Sequence, residues 1–335
     1  MIYTGGTIGM VKDYGTQSLK TFDFTDVMSH IPELQQLECS IRSVSFDTPI
    51  DSSNMSPEYW SQMAGIIESN YQTVDGFVIL HGSDTMGYSA SALSFMLENL
   101  GKPVIFTGSQ LPIGDLRTDA KENLITSIQL AALCDKEGPV IQEVGLYFEY
   151  KLYRGNRTTK LNAEHFEAFA SPNYPPLAES GVRLTIKHPY LMERNKGKRR
   201  LVVHKRFDEN VGLLKLFPGI SQNFVRSVFG TPGLKALVLE TYGAGNASTE
   251  EWFLTVLAGA VQKGLHIINV TQCAGGSVMM GYYETSNGLL QLGLIDGKNI
   301  TTEAAVTKAM YMLGSNVAPT SFKTIFETSL RGEMN

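Results

Sequence analysis

Residues 56–86 read SPEYWSQMAGIIESNYQTVDGFVILHGSDTM and hold one complete helix-to-strand unit. Ser56 suits a helix N-cap, Pro57 the first helical position and Glu58 the electropositive first turn, and apolar residues then recur at helical spacing. Asp75-Gly76 signals a turn. The run Phe77 to Leu80 is apolar without interruption, the pattern of a strand covered on both faces, as in parallel sheets flanked by helices. That strand runs directly into His81-Gly82-Ser83-Asp84-Thr85.

The same alternation extends in both directions. GYSASALSFMLENLGKP predicts a helix closed by Gly101 and Pro103, VIFTG a second buried strand ending in SQLP, and DAKENLITSIQLAALC the following helix. Further on, KALVLETYGAGNAS reads as strand and loop, and LHIINVTQC as another buried strand. Between them Ser248 and Glu251 predict a capping box that opens the helix TEEWFLTVLAGAVQKG. Strands alternating with helices place the chain in the α/β class with largely parallel sheets. The segment IKHPYLMERNKGKRR, residues 186–200, is charged and has no clean period. It predicts a larger N-terminal domain over 1–190 that carries the catalytic loops, a connection over 191–208 and a smaller C-terminal domain over 209–335.

A chain of 335 residues is longer than a single hydrophobic core usually grows, which agrees with two domains. With 43% hydrophobic and 18% charged residues it falls among ordinary globular proteins. Its net charge of -5 gives no reason to expect nucleic acid or an anionic membrane as a partner and points to a small-molecule ligand. Cys39, Cys134 and Cys273 are widely spaced and form neither a disulfide framework nor a zinc motif, which fits a reducing compartment. No apolar run reaches the roughly 20 residues of a membrane span, and no secretory leader is visible, so the chain reads as cytoplasmic.

Ligands of open α/β sheets sit beyond the carboxyl ends of the strands. Three strand exits therefore matter: Thr4-Gly5-Gly6-Thr7-Ile8-Gly9, His81 to Thr85, and Thr107-Gly108-Ser109-Gln110. Glycine permits positive φ and close backbone approach, so amide N–H groups can face a ligand carbonyl or oxyanion. Gly5, Gly6 and Gly9 do not spell the dinucleotide fingerprint, and no phosphate-loop lysine, GxSxG elbow or HExxH occurs. Hydroxyls and one carboxylate are what converge.

TGGTIG at 4–9, DSSNM at 51–55, HGSDTM at 81–86, TGSQLP at 107–112 and YRGNRTTK at 153–160, with GAGN and TQC behind them, resemble the bacterial cytoplasmic type I L-asparaginases. Seven segments in order along the chain are far more specific than any single motif. The resemblance implies hydrolysis of the side-chain amide of L-asparagine by a homodimer or homotetramer, without metal or organic cofactor. Thr7 resembles the family's nucleophile, and Ser83, Asp84 and Lys160 match its second hydroxyl, acidic and lysine positions. Ser52 and Ser53, with Asp84, match the groups that hold the substrate's α-carboxylate and α-ammonium, and Ser109 the backbone carbonyl that holds the amide nitrogen. The chemistry requires such groups in any case: a hydroxyl attacking an amide needs a base and oxyanion donors, and a lysine serves as base when burial or charge lowers its basicity.

Two features depart from the family pattern. The lid tyrosine is matched only by Tyr14, in VKDYGTQSLKTFDF, with no following proline. A regulatory asparagine site retains Thr159, Gly245, Asn246, Ala247 and Cys273, but Glu240 stands where relatives can carry arginine, and a carboxylate repels an amino acid's carboxylate. Weak or absent allostery is the expectation. Other functions stand beside the main one: a glutaminase-asparaginase of broader specificity, the amidase subunit of a tRNA-dependent amidotransferase, and a non-catalytic amino-acid sensor. Cys273 reads as a small buried hydrophobe and His81 as a packing or surface histidine.

Overall fold

The computed structural model describes residues 1–12, 19–21, 31–195, 199–282 and 284–335. The chain divides into two compact units, Met1–Lys205 and Arg206–Asn335. Residues 202 and 203, inside the segment read above as the connection, form a short antiparallel ladder with Leu97–Glu98 of the first unit.

The first unit is built on an eight-stranded sheet. Its strands are β1 (Ile2–Gly5), β2 (Val44–Ile50), β3 (Phe77–Leu80), β4 (Val104–Thr107), β5 (Val144–Phe148), β6 (Lys151–Arg154), β7 (Ala178–Glu179) and β8 (Thr185–Ile186). Their spatial order is β8-β7-β6-β5-β4-β3-β1-β2. The pairs β2/β1, β1/β3, β3/β4 and β4/β5 are parallel, whereas β6, β7 and β8 extend the sheet antiparallel. The parallel part thus has the order 2-1-3-4-5, and its topological switch point lies between β1 and β3.

Helices α1 (Pro57–Asn70), α2 (Met86–Met96) and α3 (Ala120–Ala132) provide the layers. Every residue of α2 except Tyr88 is buried, as expected of a helix that is apolar or small all round. Helix α2 ends at Met96, short of the Gly101 expected from the sequence, because Leu97 and Glu98 leave it to pair with Val202–Val203. Tyr3, Ile8, Leu80, Ile105, Leu124, Ile128 and Tyr147 belong to one core. Burying a large apolar side chain of this kind contributes about 1.5–3 kcal/mol.

The second unit has four parallel strands in sequential order, β9 (Val211–Lys215), β10 (Ala236–Thr241), β11 (His266–Thr271) and β12 (Ile295–Asp296). Its helices are α4 (Gln222–Phe229), α5 (Glu251–Gln262), α6 (Glu284–Gln291), α7 (Thr302–Gly314) and α8 (Pro319–Phe326). Leu214, Leu237, Leu239, Phe253, Leu257 and Ile267 lie in its own core. The capping box expected from Ser248 and Glu251 does not form. Helix α5 starts two residues later, with Glu250 as its N-cap, and Ser248 Oγ accepts instead from the Glu250 amide at 3.2 Å. Among the described residues no helix is long and apolar enough to cross a membrane.

Candidate active site

Strands β1 and β3 pair in register through Ile2 with Ile79 and Tyr3 with Leu80, so both release their chains at the same edge of the sheet. Thr4 Oγ1 donates to the Leu80 carbonyl at 3.0 Å and stays buried, which assigns this threonine to holding the exit together. Gly5 and Gly6 then adopt φ values of 134° and 88°. A Cβ on Gly5 would fall 2.0 Å from the Ile50 carbonyl oxygen, and one on Gly6 would fall 2.5 Å from the Gly82 amide nitrogen. The two exits meet backbone to backbone. Thr7, the residue after Gly6, opens a short 3-10 turn through Gly9, and Ser83, the residue after Gly82, opens another through Thr85.

Ser52 and Ser53 come from the exit of β2. Asp51 Oδ1 accepts from the Ser53 amide at 2.8 Å, and this amide holds the Asp51 carboxyl below its ordinary range. Thr85 Oγ1 donates to the Ser52 carbonyl at 2.7 Å, so the Ser52–Ser53 turn is tied to the Ser83 turn. Gly82 has no room for a side chain, because its Cβ would lie 2.5 Å from Ser52 Oγ.

Lys160 arrives on Thr159–Lys160, a short strand paired with Phe169–Ala170. Its Nζ donates to Ser83 Oγ at 2.8 Å and to Asp84 Oδ1 at 2.7 Å. The lysine side chain is 18% exposed and the aspartate 63%, an arrangement open to a small ligand on the aspartate side. Ser109 is buried at the exit of β4, where its Oγ donates to the Leu111 carbonyl at 2.6 Å. That loop is held by Asp119, whose carboxylate accepts from the Gln110 and Leu111 amides, and by Asn123, whose Nδ2 donates to the Gly108 carbonyl. Burial pushes the Asp119 carboxyl up in spite of those amide bonds.

A buried polar chain runs through His81, which the sequence suggests is a packing or surface histidine. Trp60 Nε1 donates to Ser89 Oγ at 2.9 Å, Ser89 Oγ lies 2.9 Å from His81 Nε2, and His81 Nδ1 lies 2.7 Å from the Gly82 carbonyl. An indole N–H can only donate and a carbonyl can only accept, so the serine proton goes to Nε2 and Nδ1 carries the imidazole proton. Burial pushes the imidazole down to about 4.

Thr7, Ser52, Ser53, Ser83, Asp84, Ser109 and Lys160 therefore all lie on loops or short strands of the first unit. Tyr14 falls outside the described residues. Thr159 belongs to the first unit, whereas Glu240, Gly245, Asn246, Ala247 and Cys273 belong to the second. There Glu240 Oε1 accepts from Thr302 Oγ1 at 2.6 Å, and Asn246 Oδ1 accepts from Thr285 Oγ1 at 2.8 Å. Cys273 is exposed rather than a small buried hydrophobe, since it lies beyond the end of β11 where the chain has left the sheet. Among the described residues no three His, Cys, Asp or Glu side chains are grouped to hold a metal ion. A cavity lined in part by Met1, Ile2, Cys39, Val44, Phe77 and Cys134 holds none of the candidate residues and lies toward the starts of β1 and β3.

These features define a class: a two-unit α/β protein whose polar groups gather on strand-exit loops at a topological switch point. Residues 1–191 match the family described as "Asparaginase, N-terminal", and residues 210–326 match "Glutaminase/Asparaginase C-terminal domain". The chain belongs to the asparaginase family. It is 43% identical over 333 residues to L-asparaginase 1 of Escherichia coli, an alignment covering 99% of this chain and 96% of that one. It is also 41% identical to a 60 kDa lysophospholipase of Mus musculus, over 99% of this chain and 62% of that one. The crystal structure of L-asparaginase I from Vibrio cholerae superposes with a TM-score of 0.90 at 39% identity, covering 100% of this chain and 98% of that one.

Proposed function

We propose that this protein hydrolyses the side-chain amide of L-asparagine to L-aspartate and ammonia. The observation that carries the reading is the Lys160 amine bound between Ser83 Oγ and Asp84 Oδ1, one loop away from Thr7 across the Gly6–Gly82 contact. In this reading Thr7 Oγ1 attacks the carboxamide carbon, its proton passes through the Ser83–Lys160 pair, and the C–N bond breaks as that proton reaches the departing ammonia. Water then attacks the aspartyl ester, and the threonine hydroxyl is restored. Amide N–H groups of the glycine turns are the available donors for the oxyanion. Ser52, Ser53 and Asp84 hold the α-carboxylate and α-ammonium, and the Ser109 carbonyl accepts from the amide nitrogen. No step calls for a metal or an organic cofactor.

The E. coli and V. cholerae relatives, both named as L-asparaginases, support the substrate assignment. The three free cysteines support a reducing, cytoplasmic setting. A homo-oligomer is part of the same reading. The test is ammonia release from L-asparagine by the whole chain and by Thr7→Ala, with L-glutamine run in parallel. Release by the wild type alone supports the proposal, and binding of asparagine without release would replace it with an amino-acid sensor. One methylene is worth only about 1–3 kcal/mol in a pocket, so the two amides are to be compared by kcat/KM.

A further inference from the structure

Gln110 is bonded at every polar atom of its side chain. Its Nε2 donates to the Ala163 carbonyl and to the His165 carbonyl, each at 3.1 Å, and its Oε1 accepts from Ser83 Oγ at 3.2 Å. Two carbonyl acceptors can only be served by the NH2 end, so the amide cannot be turned around and Oε1 must face the serine. The platform beneath it is also fixed: the Gln110 amide rests on Asp119, and Asn162 Oδ1 accepts from the Glu164 and His165 amides at 2.8 and 2.9 Å.

This fixes the polarity of the Ser83 hydroxyl. Its single proton goes to Gln110, and its lone pairs accept from Lys160 Nζ. A neutral Lys160 amine would instead ask Ser83 for that proton, and the hydroxyl would have to leave Gln110 to supply it. The charged and titratable groups around this contact are Asp84 on the lysine, Asp119 on the Gln110 amide, and the exposed side chains of Glu164 and His165, whose backbone forms the platform.

We infer that Gln110 is a positioning residue that holds the Ser83 proton away from Lys160, and so sets the pH at which the lysine can begin to act as a base. This rests on the proton relay proposed above. Replacing the acceptor by an apolar side chain of similar length frees Ser83 to donate to neutral Lys160, which favours the basic form.

The test is the pH dependence of kcat/KM for ammonia release from L-asparagine, where the acid limb reports the free enzyme's essential base. Gln110→Met should move that limb to lower pH by about half a unit to one unit, the worth of one hydrogen bond. Gln110→Asn, too short to reach Ser83, should behave as Gln110→Met does and serves if the methionine variant does not fold. Limbs that superimpose on the wild type, even with a lowered plateau, overturn the inference. Lys160→Met separates the two claims: if it stays as active as the wild type, the relay itself is wrong. If it is inactive while the Gln110 limbs do not move, only the role of Gln110 falls.

Discussion

The His81 imidazole donates from Nδ1 to the carbonyl of Gly82, 2.7 Å away and immediately before Ser83. Two further links hold that proton in place, since Trp60 donates to Ser89 and Ser89 in turn donates to Nε2. A fully buried histidine thus supports the backbone of a loop that carries two candidate catalytic groups, without facing the ligand itself.

The imidazole also makes stability depend on pH. Burial lowers it from an ordinary 6.5 to about 4, so between these values the unfolded chain binds a proton that the folded chain refuses. Stability due to this group is complete above pH 6.5 and declines as the pH falls toward 4, by about 3 kcal/mol in all. Glu149 has the opposite slope, because burial, reinforced by Asp119 and Glu122, pushes its carboxyl up to about 7 and its contribution fades as the pH rises through that value. Denaturant unfolding of wild type and His81→Gln at pH 7 and pH 5 should therefore show a difference between the two proteins that shrinks at pH 5. A constant difference would contradict the buried neutral imidazole.

Removing Lys160 or Thr7 should abolish turnover rather than weaken binding. With nucleophile or base gone, kcat for ammonia release is expected to fall by about a thousandfold or more in Thr7→Ala and Lys160→Met. Asparagine binding, followed by calorimetry, should stay within about tenfold. Parallel loss of binding and turnover would instead make these residues part of the binding site only.

Gly82 is pinned from one side by Ser52. A methyl group there would sit 2.5 Å from Ser52 Oγ, so Gly82→Ala must displace the serine turn. Overpacking of this kind costs about 1–3 kcal/mol. Because the displaced residue is assigned to the substrate's α-carboxylate, KM for asparagine should rise by about tenfold or more, with a smaller change in kcat. An unchanged KM would remove Ser52 from the carboxylate site.

In the second unit Lys308 Nζ donates to Glu333 Oε1 and to the Phe326 and Thr328 carbonyls, with both charged side chains 0% exposed. Glu333 also accepts from the Leu330 and Arg331 amides, and so anchors the last turn of the chain against α7. Deleting one member of such a pair strands the other charge and costs about 3–5 kcal/mol. Lys308→Met should lower the unfolding midpoint of the second unit sharply, whereas the double replacement Lys308→Met with Glu333→Leu should recover part of the loss. No recovery would show that the pair is not the source of the effect.

The surroundings of Glu240 lead to a prediction about regulation. Its carboxylate accepts from Thr302 and has Lys215 at 3.9 Å, so it is already engaged. Rate against asparagine concentration should be hyperbolic. A sigmoidal curve that Cys273→Ala or Asn246→Ala turns hyperbolic would restore an effector site in spite of Glu240.

Much of this was legible in the sequence because parallel strands buried on both faces leave uninterrupted apolar runs such as Phe77–Leu80, and because glycine marks the exits where backbones touch. The antiparallel extension through β6, β7 and β8 was not, since Ala178–Glu179 and Thr185–Ile186 are too short to show a period. Helix ends were misjudged where tertiary pairing overrode local signals, as when Leu97–Glu98 left α2 for Val202–Val203. Lys160 was legible only through family likeness, for a lone lysine carries no sign of the partners it will meet. Gln110, Asp119 and Asn123 escaped for a related reason: their roles depend on contacts between exits far apart in the chain.

Where Gly6 meets Gly82, a Cβ on the first would strike the Gly82 backbone and a Cβ on the second would strike Ser52, so neither position can take a side chain without moving its neighbour. Substitution, in nature or in a directed-evolution library, is therefore closed at both positions. Neighbouring positions such as Ser52 and Ser53 already carry side chains and remain the places where exchange costs less.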